Sequence, residues 1–187
     1  MIPIKNKKKS LKVTVEEMTN FALNYVEKFA PSKQQLKTYL LKKYLTSKTA
    51  NIKKTDVSNL IDIVLEDLEK SKFINDKFYS ETKAKSMIRR GNSINKIRSY
   101  LIGKGIEDSF IKETVNKIQD ENSDQDFFSA IKVCKKKRIG PARIDDNRSL
   151  FYKKDISLLA RNGFDFEVSR RVMDLDKDEY LKIINLL

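Results

Sequence analysis

The chain has 187 residues, 40% of them apolar and 35% charged, with a formal net charge of +13. Globular chains average about 45–50% apolar and about 25% charged, so several small cores are expected rather than one large one, and the charge selects nucleic acid, an anionic protein surface or an anionic membrane as partner. With no histidine, a single cysteine and no run of about 18 apolar residues, the sequence excludes a disulfide framework, a zinc cage and a membrane-spanning helix.

Residues 1–14 carry Lys5, Lys7, Lys8, Lys9 and Lys12, lack the apolar stretch of a signal peptide, and read as a basic, disordered tail of a cytoplasmic protein. Met18, Phe21, Ala22, Tyr25, Val26 and Phe29 follow the three–four spacing of one buried stripe, predicting a helix from Thr14 or Val15 to Phe29. Pro31 ends it. Ser32 and Gln35 form a capping box for a second helix burying Leu36, Tyr39 and Leu40. Residues 44–54 read as a loop. A third helix opens at Thr55 or Asp56 and carries Val57, Leu60, Ile61, Val64, Leu65 and Leu68.

Asn75 and Asp76 cap a fourth helix running to Arg90, with Phe78, Tyr79, Ala84, Met87 and Ile88 on its buried side. Gly91 supplies a left-handed stop. Ser93 caps a fifth helix burying Ile94, Ile97, Tyr100 and Leu101, and Gly105 stops it. A sixth, from Asp108 to Gln119, buries Phe110, Ile111, Val115 and Ile118. Asp126 to about Lys137 forms a seventh, with Phe127, Phe128, Ile131 and Cys134 on one face, so Cys134 is a small buried hydrophobe rather than a reactive thiol. Gly140-Pro141 makes a turn, residues 147–162 form an eighth helix burying Leu150, Ile156, Leu158 and Leu159, and Gly163 ends it. Phe164-Asp165-Phe166 opens a ninth helix carrying Val168, Val172 and Met173, and a short C-terminal helical cap over residues 174–187 completes the chain.

The pattern of helix, break, helix, stop and helix recurs three times. Its sharpest internal match sets Tyr100-Leu101-Ile102-Gly103-Lys104-Gly105-Ile106 against Leu158-Leu159-Ala160-Arg161-Asn162-Gly163-Phe164. The expected fold is all-α, an elongated tandem array of three three-helix modules over residues 15–74, 75–121 and 122–187.

These features resemble the RecX family of bacterial recombination regulators. The resemblance is carried by Phe73-Ile74-Asn75-Asp76 with Phe78, by Arg89-Arg90-Gly91, Ile97, Leu101 and Lys104-Gly105-Ile106, and by Arg161-Asn162-Gly163-Phe164. Ala22, Tyr25, Ser32, Leu36 and Leu40 fit the family's first module, and the match extends from Phe21 to Met173. It implies a modular protein that binds the RecA recombinase filament on DNA along its helical groove, and the chain itself reads as a monomer without cofactor. It also implies inhibition of strand exchange and of DNA-dependent ATP hydrolysis. The chain departs from the family in its long first-module loop, its Gly140-Pro141 turn, and Asn92-Ser93 where many members have glycine-proline.

From Thr82 to Ile106 there is no acidic residue, while Lys83, Lys85, Arg89, Arg90, Lys96, Arg98 and Lys104 form a one-signed band. Lys135, Lys136, Lys137 and Arg138 make a second basic patch, and Arg161, Arg170 and Arg171 a third. Guanidinium groups clamp carboxylates or phosphates while lysines supply field, so these fourteen are the candidate contacts to RecA or to single- or double-stranded DNA. Arg89 and Arg90 also suit the negative end of a helix dipole, a purely structural role. The few glycines sit at helix ends rather than in a phosphate-cradling loop, and no base–nucleophile pair is present, so the chain reads as a non-enzyme with no catalytic or metal residues. Two other readings stay open: a sequence-tolerant DNA-binding protein acting without RecA, and a helical scaffold for some other acidic protein.

Overall fold

The computed structural model describes residues 11–46, 53–144 and 147–187, and within them the chain is entirely helical. The helices are α1 (Val15–Phe29), α2 (Lys33–Thr46), α3 (Lys54–Lys70), α4 (Asp76–Arg89), α5 (Ile94–Gly103), α6 (Asp108–Glu121) and α7 (Gln125–Lys137). After a 3-10 turn over Gly140–Ala142 come α8 (Arg148–Arg161), α9 (Phe166–Met173) and α10 (Lys177–Leu186). The chain divides into two compact units, Met1–Tyr79 and Ser80–Leu187, with the division inside α4.

In the first unit α1, α2 and α3 close around Met18, Ala22, Leu36, Leu40, Ile61 and Leu65, and Leu11 and Val13 pack against this core from before α1. The helix starts follow from local chemistry. Thr14 Oγ1 accepts from the Glu17 amide at 3.3 Å. At α2 the predicted capping box forms in both directions: Ser32 Oγ accepts from Gln35 N at 3.2 Å, and Gln35 Oε1 accepts from Ser32 N at 3.1 Å. The expected loop from residue 44 starts later, since α2 continues to Thr46. Tyr44 lies one turn beyond Leu40 on the same face, is buried, and packs edge-on to Phe21 at 6.4 Å, so the core pulls an extra turn into the helix. The rest of that expected loop, residues 47–52, lies outside the described residues, as do 1–10 of the tail.

Five helices end alike. After α3, α4, α5, α7 and α8 the chain turns through a residue of positive φ, and the next N–H returns to the carbonyl five residues back. The bonds are Phe73 to Leu68, Asn92 to Met87, Ile106 to Leu101, Ile139 to Cys134 and Phe164 to Leu159, at 2.9 to 3.3 Å. Gly91, Gly105 and Gly163 hold three of the left-handed positions as expected, at φ 78°, 71° and 86°. Lys72 holds the fourth at φ 59°, and Arg138 the fifth, at the end of α7, at φ 54°. Sequence reading finds the glycine stops and passes over these two, because neither residue type favours this backbone region.

In the second unit α7, α8, α9 and α10 share a core of Phe127, Ile131, Cys134, Leu159, Val172 and Tyr180. Cys134 is buried as expected, and burial pushes its thiol pKa up to about 12. Three expected core residues are exposed instead: Phe29 at the end of α1 is 54% exposed, and on later helices Leu150 is 75% exposed and Phe78 68%. Leu150 and Phe78 each lie off the inner stripe of their helix, which Tyr79, Ala84 and Met87 define on α4 and Asp155 and Leu159 on α8.

Among the described residues Asp155 is the buried charged side chain, 1% exposed. It accepts from Gly140 N at 2.8 Å and from Arg143 Nε and Nη2 at 2.6 and 2.8 Å, which ties the 3-10 turn to α8. Burial acts to raise its pKa, but the Arg143 guanidinium and the Gly140 amide outweigh burial and hold it below the ordinary carboxylate value.

Two predictions follow from the backbone and the buried pair. Lys72→Gly relieves a left-handed lysine and should raise the unfolding free energy by about 0.5–1 kcal/mol in urea melts; a loss would mean that the lysine stem contributes more than its φ costs. Because the Asp155 pKa is depressed on folding, its stabilisation is complete above about pH 5 and is lost as pH falls through the folded value. Asp155→Asn should lower stability by about 2–4 kcal/mol at neutral pH and flatten the acid limb of the stability–pH curve; an unchanged limb would rule the pair out as its source.

Candidate functional site

The C-terminal end of α4, the start of α5, the last turn of α7 and the end of α8 meet around one groove of about 320 Å³. Arg90, Gly91, Asn92 and Lys96 form one side, Val133, Lys136 and Lys137 another, and Asn162 a third. Among the described residues no carboxylate lines it. Two basic patches that lie more than a helix apart in sequence are thus brought together.

Local packing explains the convergence. Gly91 turns the chain so tightly against α7 that a Cβ there would stand 3.0 Å from Lys132 Cβ and 3.1 Å from Ser129 O. Asn92 Nδ2 donates to Met87 O at 2.9 Å and locks that turn. Ser93 caps α5 by accepting from Lys96 N at 3.2 Å and donates its own hydroxyl to Asn162 O at 2.8 Å, joining α5 to the end of α8. Asn95 Nδ2 adds a bond to Gly163 O at 3.1 Å. A carboxylate from α7 completes the arrangement, for Asp126 Oδ1 accepts from Ile94 N at 2.8 Å, so the start of α5 is held from two sides. Burial raises the Asp126 pKa, and the Ile94 amide opposes that rise.

The cations differ in how firmly they are held. Arg90 donates from Nε to Ser86 O and from Nη2 to Ser86 Oγ, both at 3.1 Å, which fixes its guanidinium plane. Lys96 Nζ lies 3.4 Å from Asn162 Oδ1. Lys136 and Lys137 are exposed and close α7 where its dipole is negative. Four like charges facing one hollow without an acid among its walls make a field that an anion relieves.

The other predicted contacts fall elsewhere. Lys85 and Arg89 are exposed on α4, Lys83 is half-buried there, and Arg98, Lys135 and Arg161 are exposed at other points of the unit. Lys104 stacks its ammonium 5.2 Å from the Tyr100 ring. Arg138 lines a separate hollow of about 300 Å³ with Arg143. Two of the three residues of the expected third patch have partners within the unit: Arg170 pairs with Asp174 at 3.6 Å, and Arg171 pairs with Asp124 at 3.0 Å while covering the Phe127 ring. The hydrogen bond from Arg171 holds Asp124 below its usual pKa. Sequence reading misses Asn162 and Val133; the Asn162-Gly163 pair at a helix stop was the available signal for the first, and nothing local marks the second. Among the described residues no group of three or more His, Cys, Asp or Glu side chains is placed to hold a metal ion, and no helix is long and apolar enough to cross a membrane.

No protein-family model matches the chain. The regulatory protein RecX of Myxococcus xanthus (strain DK1622) is 30% identical over 173 residues, spanning 89% of this chain and 89% of the relative. RecX of Clostridium tetani (strain Massachusetts / E88) is 28% identical over 171 residues, 89% of this chain and 72% of the relative. RecX of Agrobacterium fabrum (strain C58 / ATCC 33970) is 26% identical over 166 residues, 89% of this chain and 86% of the relative. A crystal structure of regulatory protein RecX superposes with a TM-score of 0.62 over 86% of this chain and 74% of that one, at 18% identity, which shows a shared fold.

The groove depends on the close approach of Gly163 to Ser93. A Cβ at Gly163 would meet Ser93 Oγ at 2.5 Å, at a φ of 86° that disfavours side chains. Gly163→Ala should cost more than about 1 kcal/mol of stability and shift the amide resonances of Ser93, Lys96 and Asn162; unperturbed resonances would show that the α5–α8 junction does not order this wall.

Proposed function

The chain belongs to the RecX family of regulatory proteins, and we propose that it regulates recombination by binding the RecA recombinase filament on DNA and lowering its ATP hydrolysis and strand exchange. The groove of Arg90, Lys96, Lys136 and Lys137 is the observation that carries the reading. It offers a guanidinium held by Ser86, one ammonium beside Asn162 and two exposed ammonium groups for field, a combination suited to an acidic protein groove or to the phosphates running through it.

We further propose that the chain is built of three modules, over residues 15–74, 75–121 and 122–187. A recurring bridge supports this division. Asp76, which opens α4, accepts from Lys33 N at the start of α2 at 2.8 Å, as Asp126 of α7 accepts from Ile94 N at the start of α5. In each case the first helix of one module holds the second helix of the module before it. Small modules joined in this way would span neighbouring filament protomers, and a bridge between protomers opposes the rearrangements that hydrolysis and strand exchange require.

The test is a titration of RecA's single-strand-dependent ATP hydrolysis with the protein and with a variant carrying Arg90→Glu, Lys96→Glu, Lys136→Glu and Lys137→Glu. Inhibition by the native chain below one molecule per protomer, with half-inhibition shifted by about tenfold or more in the variant, is the expected result. Inhibition that survives the reversal would discard the groove and keep the family role. Unchanged hydrolysis beside tight binding to naked DNA would replace the reading with that of an autonomous DNA-binding protein.

A further inference from the structure

The first unit carries a second surface of different chemistry. Phe21, Tyr25 and Phe29 recur every fourth residue along α1, and Tyr39 and Lys43 sit one turn apart on α2. The Tyr25 and Tyr39 rings stack across the two helices with centroids 4.0 Å apart and planes within 13°. Phe29 continues the file 4.8 Å from Tyr25, tilted by 46°. Lys43 Nζ stands 3.7 Å over Phe21 and 5.7 Å from Tyr39, and Lys28 Nζ lies 5.4 Å from Phe29.

Packing accounts for only part of this file. Phe21, Tyr25 and Tyr39 lean on the first core, but Phe29, at the end of the row, is 54% exposed. An aromatic ring left open at the end of a stack, beside a cation, is placed to receive another flat ring. The sequence of α2, KQQLKTYLLKKYLT, contains no acidic residue, and no ion pair among the described residues engages Lys28 or Lys43. On α2 a phosphate chain therefore meets cations and no carboxylate, while α1 contributes Glu27 beside Lys28 and Glu17 one turn before Phe21.

We propose that this outer face of α1 and α2 is a stacking platform for single-stranded nucleic acid, with a base on Phe29 and flanking phosphates near Lys28 and Lys43. An acidic peptide would satisfy the charge but leave the ring faces unused. A duplex would satisfy the charge but keeps its bases stacked internally. Only an unpaired strand uses both halves of the surface.

The test needs no recombinase, so its outcome is independent of the filament reading. Fluorescence anisotropy of the full chain would compare an oligothymidine of about 15 nucleotides with an abasic deoxyribose-phosphate strand of equal length. The platform requires tighter binding of the thymidine strand. Phe29→Ala should weaken that binding about five- to a hundredfold while leaving the abasic strand unaffected. Because Phe29 is largely exposed, thermal melts should show the variant folded as the native chain is. Lys43→Gln should reduce the slope of log affinity against log salt by about one. Equal affinity for the two strands, an indifferent Phe29→Ala, or displacement of thymidine strand by polyglutamate at equal charge would each overturn the proposal.

Discussion

The architecture of the second unit rests on one kind of interaction, a carboxylate on one helix accepting the first free amide of another. Helix starts leave four N–H groups without partners inside the helix. A capping serine satisfies one of those at α5, and Asp126 takes another from α7. This second bond has direction and length that a hydrophobic contact lacks, so it fixes α7 along its axis relative to α5. Lys136 and Lys137 reach the groove opposite Arg90 and Lys96 because α7 is held there. Asp76 acts in the same way at α2. Burial raises the pKa of both carboxylates despite the amide bonds. Burial of these charges therefore carries a desolvation cost that the amide bonds offset in part.

The cations of the second unit sort by the same reasoning. Arg143 is committed to buried Asp155, Arg148 donates to Met173 O and Leu175 O at the end of α9, and Arg171 is held by Asp124 and the Phe127 ring. These are arginines, whose planar fork suits fixed acceptors. The groove is mostly lysine, with one arginine whose anchors are both on its own helix. A planar donor wired to the fold adds rigidity, whereas a mobile ammonium keeps its charge available to a partner. The division by residue type is not complete, since Lys177 also donates to Pro141 O and Arg143 O, at 3.4 and 3.0 Å. The arginine pair at 170 and 171, conspicuous in the sequence, is largely absorbed by the fold.

Much of the helical layout was legible because it is written locally. The Ser32–Gln35 box, the Ser93 cap, the stops at Gly91, Gly105 and Gly163, and the stripes of α1, α3 and α5 each need only a few neighbouring residues. Other features are not local. Lys72 and Arg138 adopt a backbone that their side chains do not advertise. Asp155 reads as a solvated acid until Gly140 and Arg143 fold back onto it from more than ten residues away, and Leu150 reads as core until Asp155 takes the inner position. The basic residues of the groove were all recognised, but as separate bands, since nothing between Lys96 and Lys136 announces that α7 returns beside α5. The aromatic file of the first unit was divided between two helices and assigned wholly to the core. Tyr25 and Tyr39 become a stack only when α1 and α2 pack.

The two surfaces differ in the distance over which they act. The groove in the second unit is a field of four cations, felt across several ångströms and weakened by salt on the scale of the Debye length. The ring file in the first unit acts at van der Waals contact and depends far less on salt. A chain whose apolar fraction limits it to small cores cannot gain partner affinity by reshaping a large hydrophobic face. It can place charge on stable helix ends, where for Arg90, Lys136 and Lys137 the dipole already favours cations and for Lys96 at the start of α5 it does not, and rings along helix stripes, where the core already orders them. Both surfaces then arise from the devices that make the helices, and this is how a small, lysine-rich protein can carry contacts of two chemistries without a dedicated binding domain for either.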